Sequence, residues 1–322
     1  MEKSVLAVSD SRNITRLIAR SLTPAGWNLK SSTFSAQGLP ERLSEGFTMC
    51  ILDADGPTDA LNSMLDRLYS SHQDIICLLL SHDTNSPFVR DLLNAQPLNN
   101  LIAKQGGISA VRERIDETEL IVTCQKLFAR DIFGLEKYIS TWGVKIHENT
   151  ITSTADKRSA LRQLRTYLEN LDSFSSINNA VMWVADELLM NAMFNAPRDE
   201  SGKPKYVDHD RSWLELEPDE TVSLKYCCDG RYIALSISDQ FGSLDRDVML
   251  KYLNRCLAAP VEIEEREAGA GLGLYIVFNS ITQLAFNIHA DHATEVIALF
   301  YIRAGPRAFN ESGKSLNIFL LQ

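Results

Sequence analysis

Four short, continuously apolar runs constrain this chain more than any other feature of its first hundred residues: 5–8, 49–52, 75–80 and 101–103. A strand that is apolar on both sides must be covered on both sides, and parallel sheets built from strand–helix–strand units provide that cover. Amphipathic segments at 13–22, 60–69 and, more briefly, 88–94 lie between the runs and read as helices. The alternation predicts an α/β fold for residues 1–107, a doubly wound parallel sheet with its loops gathered at the strand ends.

Beyond residue 107 the pattern changes. Val111, Ile115, Ile121, Cys124, Phe128, Ile132 and Leu135 recur at helical intervals, which predicts a helical connector over 108–141. It reads as an ordinary packed helix or, alternatively, as a helix that joins two copies in a homodimer. A second domain, 142–322, reads as α+β: a strand over 143–151, Thr154 as a helix cap, and an amphipathic helix over 155–171. A further helix, from Ile177, carries Glu187. Residues 197–219 read as an exposed polar loop. Strands over 221–227 and 231–238 are joined by Asp229-Gly230, a strong hairpin signal. A charged stretch, a helix and two final strands follow.

Composition narrows the function. A net charge of -10 in 322 residues disfavours nucleic acid and anionic membranes, which call for basic surface. No apolar run is long enough to span a bilayer, and the apolar run at the amino terminus is too short for a signal peptide. The 6 cysteines include no Cys-x-x-Cys pair, so they read as reduced, mostly buried thiols of a cytoplasmic protein, not as a zinc site. The pair His289 and His292 reads as structural.

The second domain carries the strongest chemical signals. On a helical wheel Ile177, Val181, Val184 and Leu188 form an apolar stripe, and Asn191 and Asn195 fall inside it, with Glu187 at its edge. An amide on such a face needs a polar partner, either a neighbouring backbone segment or a metal-bound phosphate. Asp239 shares the parity of Ile233, Leu235 and Ile237, so its carboxylate points with the buried side chains. The run Gly269-Ala270-Gly271-Leu272-Gly273-Leu274 opens a helix whose N–H groups suit an anion. A dinucleotide-binding loop is excluded, because the preceding residues 262–267 are charged and the glycine spacing differs.

Glu187-x-x-x-Asn191-Ala192, Asp239-x-x-Gly242 and Gly269-x-Gly271-Leu272-Gly273-Leu274 together resemble the ordered boxes of the Bergerat-fold ATPases, the superfamily of histidine kinases, anti-sigma serine kinases and type II topoisomerases. The resemblance implies a two-layer sandwich that binds ATP and Mg²⁺. Asn191 would coordinate the metal, with Asn195 beside it. Asp239 would read adenine, with Gly242 next to it, and Gly269, Gly271, Gly273 and Leu274 would shape the phosphate contacts. Glu187 matches the acidic residue that acts as base. The sequence departs from the family at Phe241 and Ser243, where glycines are usual, and at Phe194, where a basic residue is usual.

The first domain resembles a response-regulator receiver, a flavodoxin-like fold, through Asp10, Asp53-Ala54-Asp55-Gly56-Pro57, Ser81 and Lys104. The resemblance implies Asp10 and Asp53 as metal ligands, Asp53 as phosphoacceptor, and Ser81 and Lys104 as phosphoryl contacts. Ser9 stands in place of a second acidic residue, Leu101 in place of a switch aromatic, and Gln105 in place of a proline. Two alternatives stand: a phosphorylatable receiver, or a degenerate one that serves as an interaction module.

Together the resemblances imply a signalling protein in which a receiver-like domain controls an ATP-binding domain. That domain would phosphorylate a protein partner or bind it in an ATP-dependent way. The rival is a non-catalytic scaffold. The connector contains no His, so an autophosphorylating histidine kinase is not expected.

Overall fold

The computed structural model describes residues 3–35, 46–71, 75–84, 86–95, 98–105, 114–171, 173–246, 249, 277, 280–302 and 313–321. The chain divides into two compact units, Met1–Ile132 with Ser312–Asn317, and Phe133–Glu311 with Ile318–Gln322.

In the first unit the strands are β1 (Ser4–Val8), β2 (Asn28–Ser32), β3 (Met49–Asp53), β4 (Ile76–Ser81) and β5 (Asn100–Ala103). They pair in parallel in the order β2-β1-β3-β4-β5, the doubly wound arrangement. The helices are α1 (Arg12–Leu22), α2 (Thr58–Ser71), α3 (Pro87–Ala95) and α4 (Glu117–Ala129). One core holds Val5, Ala7, Ile51, Leu78 and Leu80 from the strands against Ile14 and Ile18 of α1 and Leu120 and Cys124 of α4. The opposite strand parity, Leu6, Leu52, Leu79 and Leu101, is equally buried, together with Leu61 and Leu65 of α2 and Val89 of α3.

Two features of this unit escaped the sequence. β2 is polar and mostly exposed, because an edge strand needs a partner on one side only. Residues 315–317 add an antiparallel edge on β5, with Leu316 opposite Leu101 and Asn317 opposite Asn100.

The connector expected over 108–141 is also redrawn. Its described part holds one α-helix, α4, capped by Asp116, which accepts from the N–H groups of Thr118 and Glu119, and ended by Arg130 at φ 55. Trp27 meets Phe128 edge-on, with ring centroids 5.4 Å apart. The division therefore falls after Ile132, not at 107, because α4 packs into the first core.

The second unit holds β6 (His147–Ile151), β7 (Val222–Cys228), β8 (Tyr232–Asp239), β9 (Gln283–His289), β10 (Ala293–Tyr301) and the end of β11 (Ser315–Leu321). The antiparallel ladder runs β6-β7-β8-β10-β9, with β11 beside β9. Helices α5 (Thr154–Glu169) and α6 (Ser175–Met190) pack on each other and on this sheet. Among the described residues three strands, not two, end the chain: β9, β10 and β11. The helix cap is Ser153, one residue before the expected Thr154: its hydroxyl accepts the N–H of Asp156.

The stretch 197–219 is the exposed loop expected, and it is anchored at a few points. Tyr206 donates to Glu220 at 2.6 Å, Lys205 adds a bond of 2.9 Å to the same carboxylate, and Leu214 and Leu216 are buried. On β10 the buried Glu295 accepts from Ser236, Asn287 and the N–H of Gly134, so that charge is fully engaged. The described cysteines are free thiols, and burial pushes Cys77 up to about 11. Among the described residues no helix is long and apolar enough to cross a membrane.

Candidate functional site

In the second unit, α6 does not simply continue through its asparagines. Residues Asn191–Asn195 form a π-turn in which the N–H of Ala196 reaches the carbonyl of Asn191. A π-turn offsets the side chains that follow, and such turns gather at functional positions. Here they form a ladder. Asn195 Nδ2 donates to Asn191 Oδ1 at 2.7 Å, and Asn191 Nδ2 donates to Glu187 Oε1 at 3.1 Å.

Across from the ladder lies the end of β8. Asp239 and Ile237 face Thr294 and Val296 on β10, which are their register partners. Asn191, Asn195, Asp239, Thr294, Phe286 and Leu188 line one cavity of about 430 Å³. Such a volume suits a small ligand held by apolar walls and a few polar groups. Arg198, Pro204 and Val207 of the anchored 197–219 stretch supply part of the wall, which the polar composition of that stretch did not foretell. Glu187 is outside the lining and reaches the cavity through Asn191.

Asp239 is 6% exposed. Burial raises its carboxyl to about 6, against hydrogen bonds from the N–H groups of Phe241 and Gly242. Thr294 eases the charge slightly, but its buried Oγ1 completes no hydrogen bond of its own. A raised acid favours the protonated form in the folded state. Its contribution to stability is complete below the ordinary value of 3.8 and is lost as pH rises through about 6. A ligand that donates a hydrogen bond to the carboxylate would therefore be held best in the ionised form.

Gly242 meets a packing requirement of its own. Its φ is 58, and a Cβ there would lie 2.0 Å from the carbonyl oxygen of His289. Gly242 lets its turn pack on the β9–β10 hairpin and is not part of the cavity lining. His289 and His292 flank the same hairpin, with ring centroids 4.3 Å apart. Gly269, Gly271, Gly273 and Leu274 lie outside the described residues.

In the first unit the strand ends bring Asp53, Ser81 and Lys104 close to one another, linked through Asp55. Asp53 is 5% exposed and Lys104 2%. Lys104 Nζ is 2.5 Å from Asp53 Oδ1 and 2.9 Å from Asp55 Oδ2. Ser9 donates to Asp53 Oδ2 at 2.6 Å, so the residue standing in for an acid holds the carboxylate directly. Asp10 Oδ1 accepts the N–H of Phe34 at 3.1 Å. Among the described residues no group of three His, Cys, Asp or Glu side chains is arranged to hold a metal.

The residue the sequence reading passed over is Asp55. Ser81 Oγ donates to it at 2.8 Å, and His82 approaches with its N–H at 3.0 Å and its Nδ1 at 2.7 Å. Burial pushes the Asp55 carboxyl up, but the Lys104 ammonium and the bonds from Ser81 and His82 outweigh it, leaving it below its usual value. For Lys104, burial lowers the ammonium, and the charges and hydrogen bonds of Asp53 and Asp55 carry it above its usual value. Only the spacing Asp53-x-Asp55 could have signalled this partner.

No protein-family model and no curated protein matches the chain. Among solved structures it is similar to a response regulator from Thermotoga maritima, at 16% identity over 40% of this chain and 99% of that one, with a TM-score of 0.34. A signal receiver domain of an HD domain-containing protein from Pseudomonas fluorescens Pf-5 shares 17% identity over 40% of this chain and 97% of its own, with a TM-score of 0.34. The SiaB-SiaC complex from Pseudomonas aeruginosa shares 17% over 48% and 88%, with a TM-score of 0.32. The site geometry stands on its own distances and on none of these similarities.

Proposed function

We propose that the second unit is an adenine-nucleotide site of the Bergerat kind, in a signalling protein whose receiver-like first unit controls it. What supports the reading is that Asn191, Asn195 and Asp239, distant in sequence, line one cavity of about 430 Å³. The donor set fits the ligand: a buried carboxylate for the exocyclic amino group of adenine, with the unsatisfied Thr294 Oγ1 beside it. Asn191 Oδ1 is the ligand this chain offers to Mg²⁺, which prefers oxygen, and Asn195 now occupies it. Magnesium would neutralise phosphate charge there. Glu187 holds Asn191 in place, and in the kinase version it takes the proton from a partner hydroxyl. The output is phosphorylation of a protein partner or ATP-dependent binding to it.

One observation favours the rival, a non-catalytic scaffold with degenerate domains: Glu187 is not among the cavity-lining residues. Calorimetric titration of the full chain with Mg²⁺ and ATP tests the site. Wild type is expected to bind, and Asn191→Ala and Asp239→Ala each to lose at least about tenfold in affinity, as follows from removing one charge-assisted contact of about 1.5–3 kcal/mol. A folded wild type that fails to bind millimolar ATP would sink the reading.

A further inference from the structure

The donors at the carboxyl ends of β4 and β5 converge on one anion, and that anion belongs to the chain. Asp55 receives Ser81 Oγ at 2.8 Å, Lys104 Nζ at 2.9 Å, and the His82 N–H and Nδ1 at 3.0 and 2.7 Å. A hydroxyl, an ammonium, a backbone amide and an imidazole form the kind of set that holds a tetrahedral oxyanion. The His82 ring is committed to this carboxylate, for its Nε2 is buried without a partner. Asp53 is engaged as well: Ser9 takes one oxygen, and Lys104 and the N–H of Asp55 take the other.

We infer that Asp55 is a tethered anion that keeps an oxyanion pocket of the first unit filled. The pocket takes no phosphoryl group from outside while Asp55 is present, so any control by this unit operates without phosphorylation of Asp53. Geometry supports the competition. Asp55 is fixed two residues from Asp53, in a turn where the Gly56 N–H approaches the Asp53 carbonyl at 3.4 Å. A carboxylate tethered so closely acts at an effective concentration on the order of millimolar or more, which free phosphate must exceed. The inference goes beyond the nucleotide reading and does not depend on it.

The test uses the full chain with inorganic phosphate, followed by thermal shift, and with beryllofluoride and Mg²⁺, followed by ¹⁹F NMR. Wild type is expected to show no response at the first unit to either probe. Asp55→Ala is expected to bind phosphate at least about tenfold more tightly than wild type. That gain is expected to disappear in Asp55→Ala/Ser81→Ala, which separates it from phosphate bound in the second unit. If Asp55→Ala fails to fold, Asp55→Asn keeps the volume, removes the charge and is expected to show a smaller gain. Two results would overturn the inference: a wild-type beryllofluoride signal that vanishes in Asp53→Ala, or a folded Asp55 variant no more responsive than wild type.

Discussion

Lys104→Met is expected to destabilise the first unit by about 3–5 kcal/mol, the usual consequence of removing one member of a buried ion pair. The Lys104 side chain is fully buried and bridges Asp53 and Asp55. Without it two carboxylates face each other at the strand ends, one of them nearly sealed from water, with only hydroxyl, amide and His82 imidazole partners left. The loss is expected to shrink in the triple variant Lys104→Met/Asp53→Asn/Asp55→Asn, which removes the stranded charges along with the ammonium. Urea unfolding read by tryptophan fluorescence measures this selectively. Trp27 is buried in the first unit, whereas Trp142, Trp183 and Trp213 of the second are exposed. A Trp27 transition unchanged by Lys104→Met would show that the ion triad contributes nothing net.

Gly242→Ala is expected to destabilise the second unit by about 3 kcal/mol, the sum of a left-handed alanine and an overpacked contact. The contact is with backbone: the new Cβ would meet His289 O at 2.0 Å, His292 N at 2.7 Å and Asp291 N at 2.8 Å. None of these can rotate away, so the turn after β8 or the β9–β10 hairpin must move. Asp239 sits three residues before Gly242 and its carboxylate is held by the same turn, so cavity affinity should fall with stability. Gly230→Ala is the control. That residue has φ 82 but nothing within 4 Å, so only the conformational cost of about 1 kcal/mol is expected. Equal losses at the two positions, measured by circular dichroism during urea unfolding, would refute the close-approach argument.

Much of this was legible in the residues. Runs that are apolar on both strand parities have one common solution, and the parallel sheet follows from them. The helix stripe from Ile177 to Leu188 and the parity of Asp239 likewise fix sides, because both periods are geometric. What escaped the sequence has physical reasons as well. β2 pairs on one side, so its polar residues carry no burial signal. α4 looked like a connector because its apolar spacing is that of any packed helix, and only its partner, the α1 face, decides which unit owns it. The π-turn at Asn191 has no composition signature. The tie of Lys205 and Tyr206 to Glu220, which anchors the exposed 197–219 loop, has no sequence signal because it exists only once the loop folds back. Asp55 carries no sequence signal beyond its spacing from Asp53, and its role comes from side chains at the ends of β4 and β5.

The adenine contact at Asp239 is the centre of the nucleotide reading, and adenosine tests it most directly because it has no phosphate to titrate. Adenosine affinity should be measured across the range that spans the Asp239 value of about 6, in wild type and in Asp239→Asn. Binding to wild type is expected to tighten as pH rises through that value, since the amino group of adenine donates to the ionised carboxylate, while the variant shows weak, flat binding. Affinity in wild type that does not change with pH, or no binding at any pH, would contradict the account.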